Sequence, residues 1–207
     1  MDLALKDKII IVSGGAKGIG EGITNVLASE GAIPIIIGRS EEDNLALVKL
    51  IQKQGYQADQ VVAELTEPAA CENAIKQIVT KFGKIDGLVN NAGENDSVGL
   101  ENGNYDLFMK SLHKNLIHYY LLAHYALPYL KISKGCIVNI NSKTAETGQG
   151  GTSAYAAANG GRNALTREWA VELLTYGIRV NAVVVAECYT PLYEKWLQAL
   201  QIGRAHV

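Results

Sequence analysis

The sequence predicts an α/β fold, a doubly wound parallel sheet with helices on both faces, built as a single domain. Three observations predict it. Lys8–Ser13 reads KIIIVS, a short run rich in β-branched residues that ends in a glycine cluster, as a buried strand entering a tight turn does. Apolar runs of this kind alternate regularly with segments of helical periodicity, the pattern of a parallel sheet with crossover helices. The glycine-rich and polar motifs fall at the carboxyl ends of strands or in the helices that follow, where ligands bind in such sheets.

Each element can be justified in order. After the first strand, Ile19, Ile23, Val26 and Leu27 make one apolar helical face. Ile33–Ile37 is a second buried strand. Leu47, Val48 and Ile51 mark a helix, and Gly55 stops it. Gln60–Ala63 is a weaker strand, and Ile75, Ile78, Val79 and Phe82 give the next helical stripe. Ile85–Asn90 is a strand running into Asn91-Ala92-Gly93. A long helix is expected from about Tyr105 to Leu130, a strand over Cys136–Asn141, a helix from Ala154 to Leu174, and a strand over Ile178–Val185.

Composition excludes several classes of function. The chain has 207 residues, 48% of them hydrophobic, enough for one substantial core. Net charge is −2, from 19 basic and 21 acidic residues, with no basic stripe to bind nucleic acid or an anionic membrane. No apolar run reaches the length of a membrane span, and the N-terminus lacks the apolar core of a signal peptide. Cys71, Cys136 and Cys188 are odd in number and widely spaced. They fit neither a disulfide framework nor a zinc site, so no metal is expected and a reduced cytoplasm is the natural compartment. His113, His118 and His124 share no metal-binding helical face and read as surface or interface residues.

Ser13-Gly14-Gly15-Ala16-Lys17-Gly18-Ile19-Gly20 lies between the first strand and the first helix. Glycines let the backbone turn sharply and approach a pyrophosphate, and the helix N-terminus offers N–H groups to it. This is a Rossmann-type dinucleotide site, with Gly14, Lys17, Gly18, Ile19 and Gly20 as cofactor-binding candidates. The second strand ends at Gly38-Arg39-Ser40, where an acidic residue would select NAD and an arginine suits a 2′-phosphate. NADP or NAD is therefore the expected cofactor, with NADP favoured through Arg39 and Lys17.

The spacing of Gly14, Gly18 and Gly20 resembles that of the short-chain dehydrogenase/reductase family, with Ser13 in place of the usual threonine. Asn90-Asn91-Ala92-Gly93, Asn115, Ser142 and Tyr155, 13 residues beyond Ser142, fall in that family's order. The resemblance implies that Asn91, Ala92 and Gly93 flank the cofactor. It implies that Asn115 serves the proton relay, that Tyr155 exchanges the substrate's proton and that Ser142 holds its oxygen. Thr190, followed by Pro191, is implied to contact the nicotinamide amide. A free tyrosine has a pKa near ~10, so the family places a lysine four residues on to favour the tyrosinate. Here Asn159 stands there. It can bond a ribose hydroxyl but brings no charge, so the chain is expected to bind cofactor and turn over slowly or not at all. Arg162 does not have the lysine's spacing. A one-base difference between Lys and Asn codons would give the same reading.

Residues 95–101, 115–120 and 142–150 further resemble bacterial sugar dehydrogenases of the L-fucose dehydrogenase type. This implies oxidation of an aldose to its lactone, with Asn95, Ser142, Lys143, Gln149 and Glu187 toward the sugar. The alternatives are a non-catalytic dinucleotide-binding protein and a ketone or steroid reductase on the same scaffold. Family resemblance also implies a homodimer or homotetramer for the full-length protein. Residues 1–200 are expected to be an incomplete domain, lacking the C-terminal strand and part of the substrate lid. Residues 201–207 resemble translated sequencing adapter.

Overall fold

The computed structural model describes residues 2–199; the segment 201–207 lies outside the described residues. The elements alternate as expected: β1 (Ile9–Ser13), α1 (Gly18–Ser29), β2 (Ile33–Gly38), α2 (Glu41–Lys53), β3 (Asp59–Val62), α3 (Pro68–Phe82) and β4 (Gly87–Asn90). They continue through α4 (Tyr105–Leu112), α5 (His118–Ser133), β5 (Cys136–Ser142), α6 (Ser153–Glu172), β6 (Arg179–Val185) and α7 (Pro191–Ala199). Among the described residues the six strands form one sheet in the order β3-β2-β1-β4-β5-β6, every pairing parallel. Strand order reverses between β1 and β4, so the helices leaving these two strands diverge and open a crevice.

β1 is apolar at consecutive positions because both faces are covered. Ile9 and Ile11 pack with Ile75 and Ile78 of α3 and Leu122, Ala126 and Leu130 of α5. Ile10 and Val12 face the other way, toward Ala32, Val89 and Ile140, with Ile19, Ile23 and Leu27 of α1 against them. The face of α1 differs from expectation. Its buried residues are the small Gly20, Thr24 and Ala28, while Val26 is 59% exposed. Small residues let the helix axis come close to the sheet, which moves the centre of the buried stripe away from Val26.

The long helix between β4 and β5 is also not uniform. Residues His113–Ile117 form a wide π-turn between α4 and α5. Such turns loosen the backbone hydrogen-bond ladder locally and recur at functional sites.

β4 begins later than the apolar run suggests, because Asp86 is used as a clamp. Its carboxylate accepts a hydrogen bond from the Ile9 N–H at 2.9 Å and pairs with Lys8 at 3.2 Å and Lys84 at 3.1 Å. Burial alone would raise its pKa; the Ile9 N–H and the two lysines outweigh this and hold it below its ordinary value. A depressed carboxylate adds its full stability above its unfolded pKa and loses it progressively as pH falls from there through the lower folded pKa. Asp86→Asn should therefore cost about 1.5–3 kcal/mol at neutral pH, the range for hydrogen bonds to a charged group. Urea unfolding at pH 7 and below pH 4 checks this, with the deficit shrinking at the lower pH.

Candidate active site

The crevice begins at the end of β1. The Ser13 hydroxyl accepts from the N–H groups of Asn91 at 2.9 Å and Ala92 at 3.1 Å. Asn91 returns the link, its Nδ2 donating to the Ser13 carbonyl at 2.9 Å. The two central strands are thus tied at their carboxyl ends. The glycine loop follows. Gly14 and Gly18 have φ of +63° and +55°, and a Cβ on Gly20 would lie 2.1 Å from the Gly14 carbonyl oxygen. Only glycines close this turn and leave backbone facing the crevice.

Beside the loop, Lys17 is paired with Asp43 at 2.6 Å rather than free. That bond, then one from Ser40, holds the Asp43 carboxyl below its usual range. Arg39 is exposed at the end of β2. A side chain at Gly38 would meet the buried Asn44, whose Oδ1 would lie 2.7 Å from its Cβ. The position where an acidic selector of NAD would sit is thus filled from beneath.

A buried polar ladder supports the floor. Asn90 Nδ2 donates to Asn139 Oδ1 at 3.1 Å, and Asn139 Nδ2 donates to Thr166 Oγ1 at 2.9 Å. Asn115, in the π-turn, is fully buried; its Oδ1 accepts from the Glu94 N–H at 2.9 Å. Its carbonyl accepts from Arg162 Nε. His118 corrects an expectation: it is buried, not a surface residue, and its Nε2 lies 2.8 Å from the Lys114 carbonyl. Burial first, and the Arg162 charge second, push its pKa down to about 3.

Ser142 ends β5, and its hydroxyl accepts from the Thr144 N–H at 3.3 Å. Tyr155 stands in the first turn of α6. Both line one cleft of about 1970 Å³, larger than the ~300–1,000 Å³ of pockets for single small ligands and roomy enough for a dinucleotide plus a substrate. Every residue expected to touch cofactor or substrate lines this cleft except Asn115 and Asn159. Lys143 and Glu187 pair with each other across its mouth. Asn95 Oδ1 accepts from the Ser97 N–H at 3.1 Å. The Thr190 methyl would meet a Cβ at Gly18 at 3.3 Å, bringing the segment between β6 and α7 against the glycine loop.

Asn159 is placed otherwise than expected. It is wholly buried off the cleft wall, its Nδ2 donating to the Tyr155 carbonyl at 2.9 Å and its Oδ1 accepting from Arg162 Nη1 at 3.1 Å. Its amide has no end directed to a ribose. The residue that reaches the cleft from this turn of α6 is Arg162, which spacing alone passed over. The flanking Gly160-Gly161 was the available signal. A Cβ at Gly161 would lie 3.0 Å from Leu116, so α6 approaches the π-turn closely and carries position 162 inward.

The chain matches the family model described as short chain dehydrogenase over residues 8–201. It is 30% identical to the L-fucose dehydrogenase of Rattus norvegicus over 97% of this chain and 73% of that protein. It is 33% identical to the 3-oxoacyl-[acyl-carrier-protein] reductase FabG of Thermotoga maritima, over 93% of this chain and 79% of that one. Among solved structures, Cj0485 dehydrogenase is 46% identical, with a TM-score of 0.89 over 96% of this chain and 76% of that chain.

His118 makes a pH prediction. Its native pKa lies below its unfolded value, so as pH falls the unfolded chain takes up a proton that the folded chain refuses. Its contribution to stability is lost progressively as pH drops below about 6.5, down to about 3. His118→Gln should flatten the acid limb by up to about 1.4 kcal/mol per pH unit in that window. Thermal unfolding from pH 7 to 4 measures it, and parallel slopes for the two proteins would refute the assignment.

Proposed function

This chain belongs to the short-chain dehydrogenase family, and from that premise we propose that it oxidises an aldose to its lactone, with NADP favoured over NAD. The family's members are NAD(P)-dependent dehydrogenases and reductases, and the cleft suits the cofactor: a glycine cradle closed to any Cβ, with backbone turned toward the space above it. The observation that carries the sugar reading is the cleft mouth. Ser142 and Tyr155 share the cleft with Lys143, Glu187, Gln149 and Asn95, polar groups suited to a substrate with several hydroxyls. The relative named L-fucose dehydrogenase points the same way.

When bound, the nicotinamide supplies the hydride acceptor. In the proposed reaction Tyr155 takes the anomeric hydroxyl's proton and Ser142 donates a hydrogen bond to the same oxygen. Arg39 and Gly38 support NADP: the first offers charge for a 2′-phosphate, and the second leaves no carboxylate to oppose it. The three free cysteines suit a reducing cytoplasm, and the family resemblance suits a homodimer or homotetramer. Among the described residues no helix is long and apolar enough to cross a membrane, and no cluster could hold a metal.

A second reading, reduction of a ketone or steroid on the same scaffold, is favoured by the similarity to FabG, named for a 3-oxo group, and to the cyclopentanol dehydrogenase of Comamonas testosteroni. The test is a panel of aldoses including L-fucose, set beside cyclopentanol and an acetoacetyl thioester, with each nucleotide. Turnover of aldoses alone supports the first reading, and turnover of the others alone replaces it. In the same assay Arg39→Leu should raise KM for NADP about tenfold or more, the worth of a charge-assisted bond, and leave KM for NAD nearly unchanged. Equal effects on both nucleotides would remove Arg39 from the 2′-phosphate site.

A further inference from the structure

We propose that the Arg162 guanidinium is the fixed positive charge of this active site, donating from Nη2 to a ribose hydroxyl of the dinucleotide, with Asn159 as the residue that positions it. The inference rests on the oxidoreductase reading. In that reading Asn159 replaces a lysine, and the site loses its cation only if Arg162 is left out.

The donors of Arg162 can be counted. Nε donates to the Asn115 carbonyl, and Nη1 donates to the Ile140 carbonyl at 3.2 Å and to Asn159 Oδ1 at 3.1 Å. Its Cζ sits over the Tyr119 ring, 4.1 Å from the ring centre. The residue is 2% exposed, and Nη2 is buried without a hydrogen-bond partner. That arm points at the cleft: a Cβ on Gly93 would lie 2.8 Å from Nη2 and 2.7 Å from Asn115 Oδ1. A buried guanidinium with one arm unused is costly unless a ligand completes it. A hydroxyl, which can accept here and donate to a neighbour, suits this arm and the adjacent amide oxygen.

The change at 159 and the arginine at 162 make one unit. A lysine at 159 would set a second cation beside the guanidinium in a buried niche, whereas asparagine offers an acceptor. The charge has moved three residues along α6, to the same side of the helix. The titratable groups around it are His118 and Tyr119 on α5. Across Gly93 the loop carries Glu94 and Asp96, both paired with Lys114.

The experiment compares the parent with Arg162→Met, Arg162→Lys, Asn159→Lys and the double variant Asn159→Lys/Arg162→Met. It reads the Kd of NADPH or NADH, whichever the parent binds more tightly, the thermal midpoint, and the pH profile of kcat/KM for any aldose turned over. Arg162→Met should weaken nucleotide binding about tenfold or more and move the rise of oxidation to higher pH, with Arg162→Lys recovering part of both. Asn159→Lys alone should lower the thermal midpoint, and the double variant should regain stability and binding together. The proposal is overturned if Arg162→Met binds nucleotide and follows pH as the parent does, if the double variant fares no better than Asn159→Lys, or if the parent binds neither nucleotide. Should Arg162→Met fail to fold, the double variant against Asn159→Lys decides. A parent that binds nucleotide but oxidises nothing in the panel sinks the aldose reading, while the binding and stability arms still decide the role of Arg162.

Discussion

The structure depends on the joint between the carboxyl ends of β1 and β4. Strand order reverses there, so the backbone N–H groups of Asn91 and Ala92 leave the sheet without a ladder partner on the β1 side. Unpaired and buried, they would cost stability. The Ser13 hydroxyl supplies both acceptor positions, and Asn91 donates back into β1. An apolar residue at 13 would pack equally well but leave two donors unsatisfied. The glycine turn is set by the same joint. With Asn91 Nδ2 also 3.2 Å from the Gly14 carbonyl, the loop is drawn toward β4 until no Cβ fits between them. The crevice is therefore a consequence of closing this joint, and the helices on either side inherit their divergence from it.

What could be read in the sequence is what depends on local pattern. Consecutive isoleucines in β1 and β2 signalled strands covered on both faces, and the glycines after β1 signalled the turn. Boundaries and faces went astray where a polar or small residue took over an apolar one's work. Asp86 ended the usable length of β4 because its carboxylate faces β1. Gly20, Thr24 and Ala28, not the larger Val26, form the contact face of α1. The π-turn left no mark on the apolar spacing between Tyr105 and Leu130, since it inserts within a segment that stays helical on both sides.

The site residues divide along the same line. Those fixed by a strand end or by the glycine loop reach the cleft as their spacing implied. The burial of Asn159 and His118 and the inward reach of Arg162 are not in the local pattern because they depend on contacts between segments far apart in the chain. Arg162 meets Asn115, 47 residues away, only because α6 crosses the π-turn closely at Gly161. A cation in a polar stretch of helix normally faces water, and only the packed helix pair shows that this one faces inward.

The surroundings of that cation determine where its charge can act. A guanidinium is more weakly hydrated than an ammonium and can stack on a ring, so it tolerates burial better than lysine. Its neighbours do not neutralise it. Burial, and then the Arg162 charge, keep His118 neutral, while burial pushes the Tyr119 phenol up to about 12, so neither offers a counter-ion. Glu94 and Asp96 lie within reach of the same loop, yet Lys114 holds both carboxylates. Carbonyl and amide oxygens stabilise the guanidinium through their dipoles without cancelling its charge. In the proposed reaction the charge acts in the cleft that Ser142 and Tyr155 also line, where negative charge develops on a substrate oxygen during proton removal. A lysine four residues from the tyrosine is one way to put such a charge there; a buried arginine three residues further on, held by an asparagine, is another.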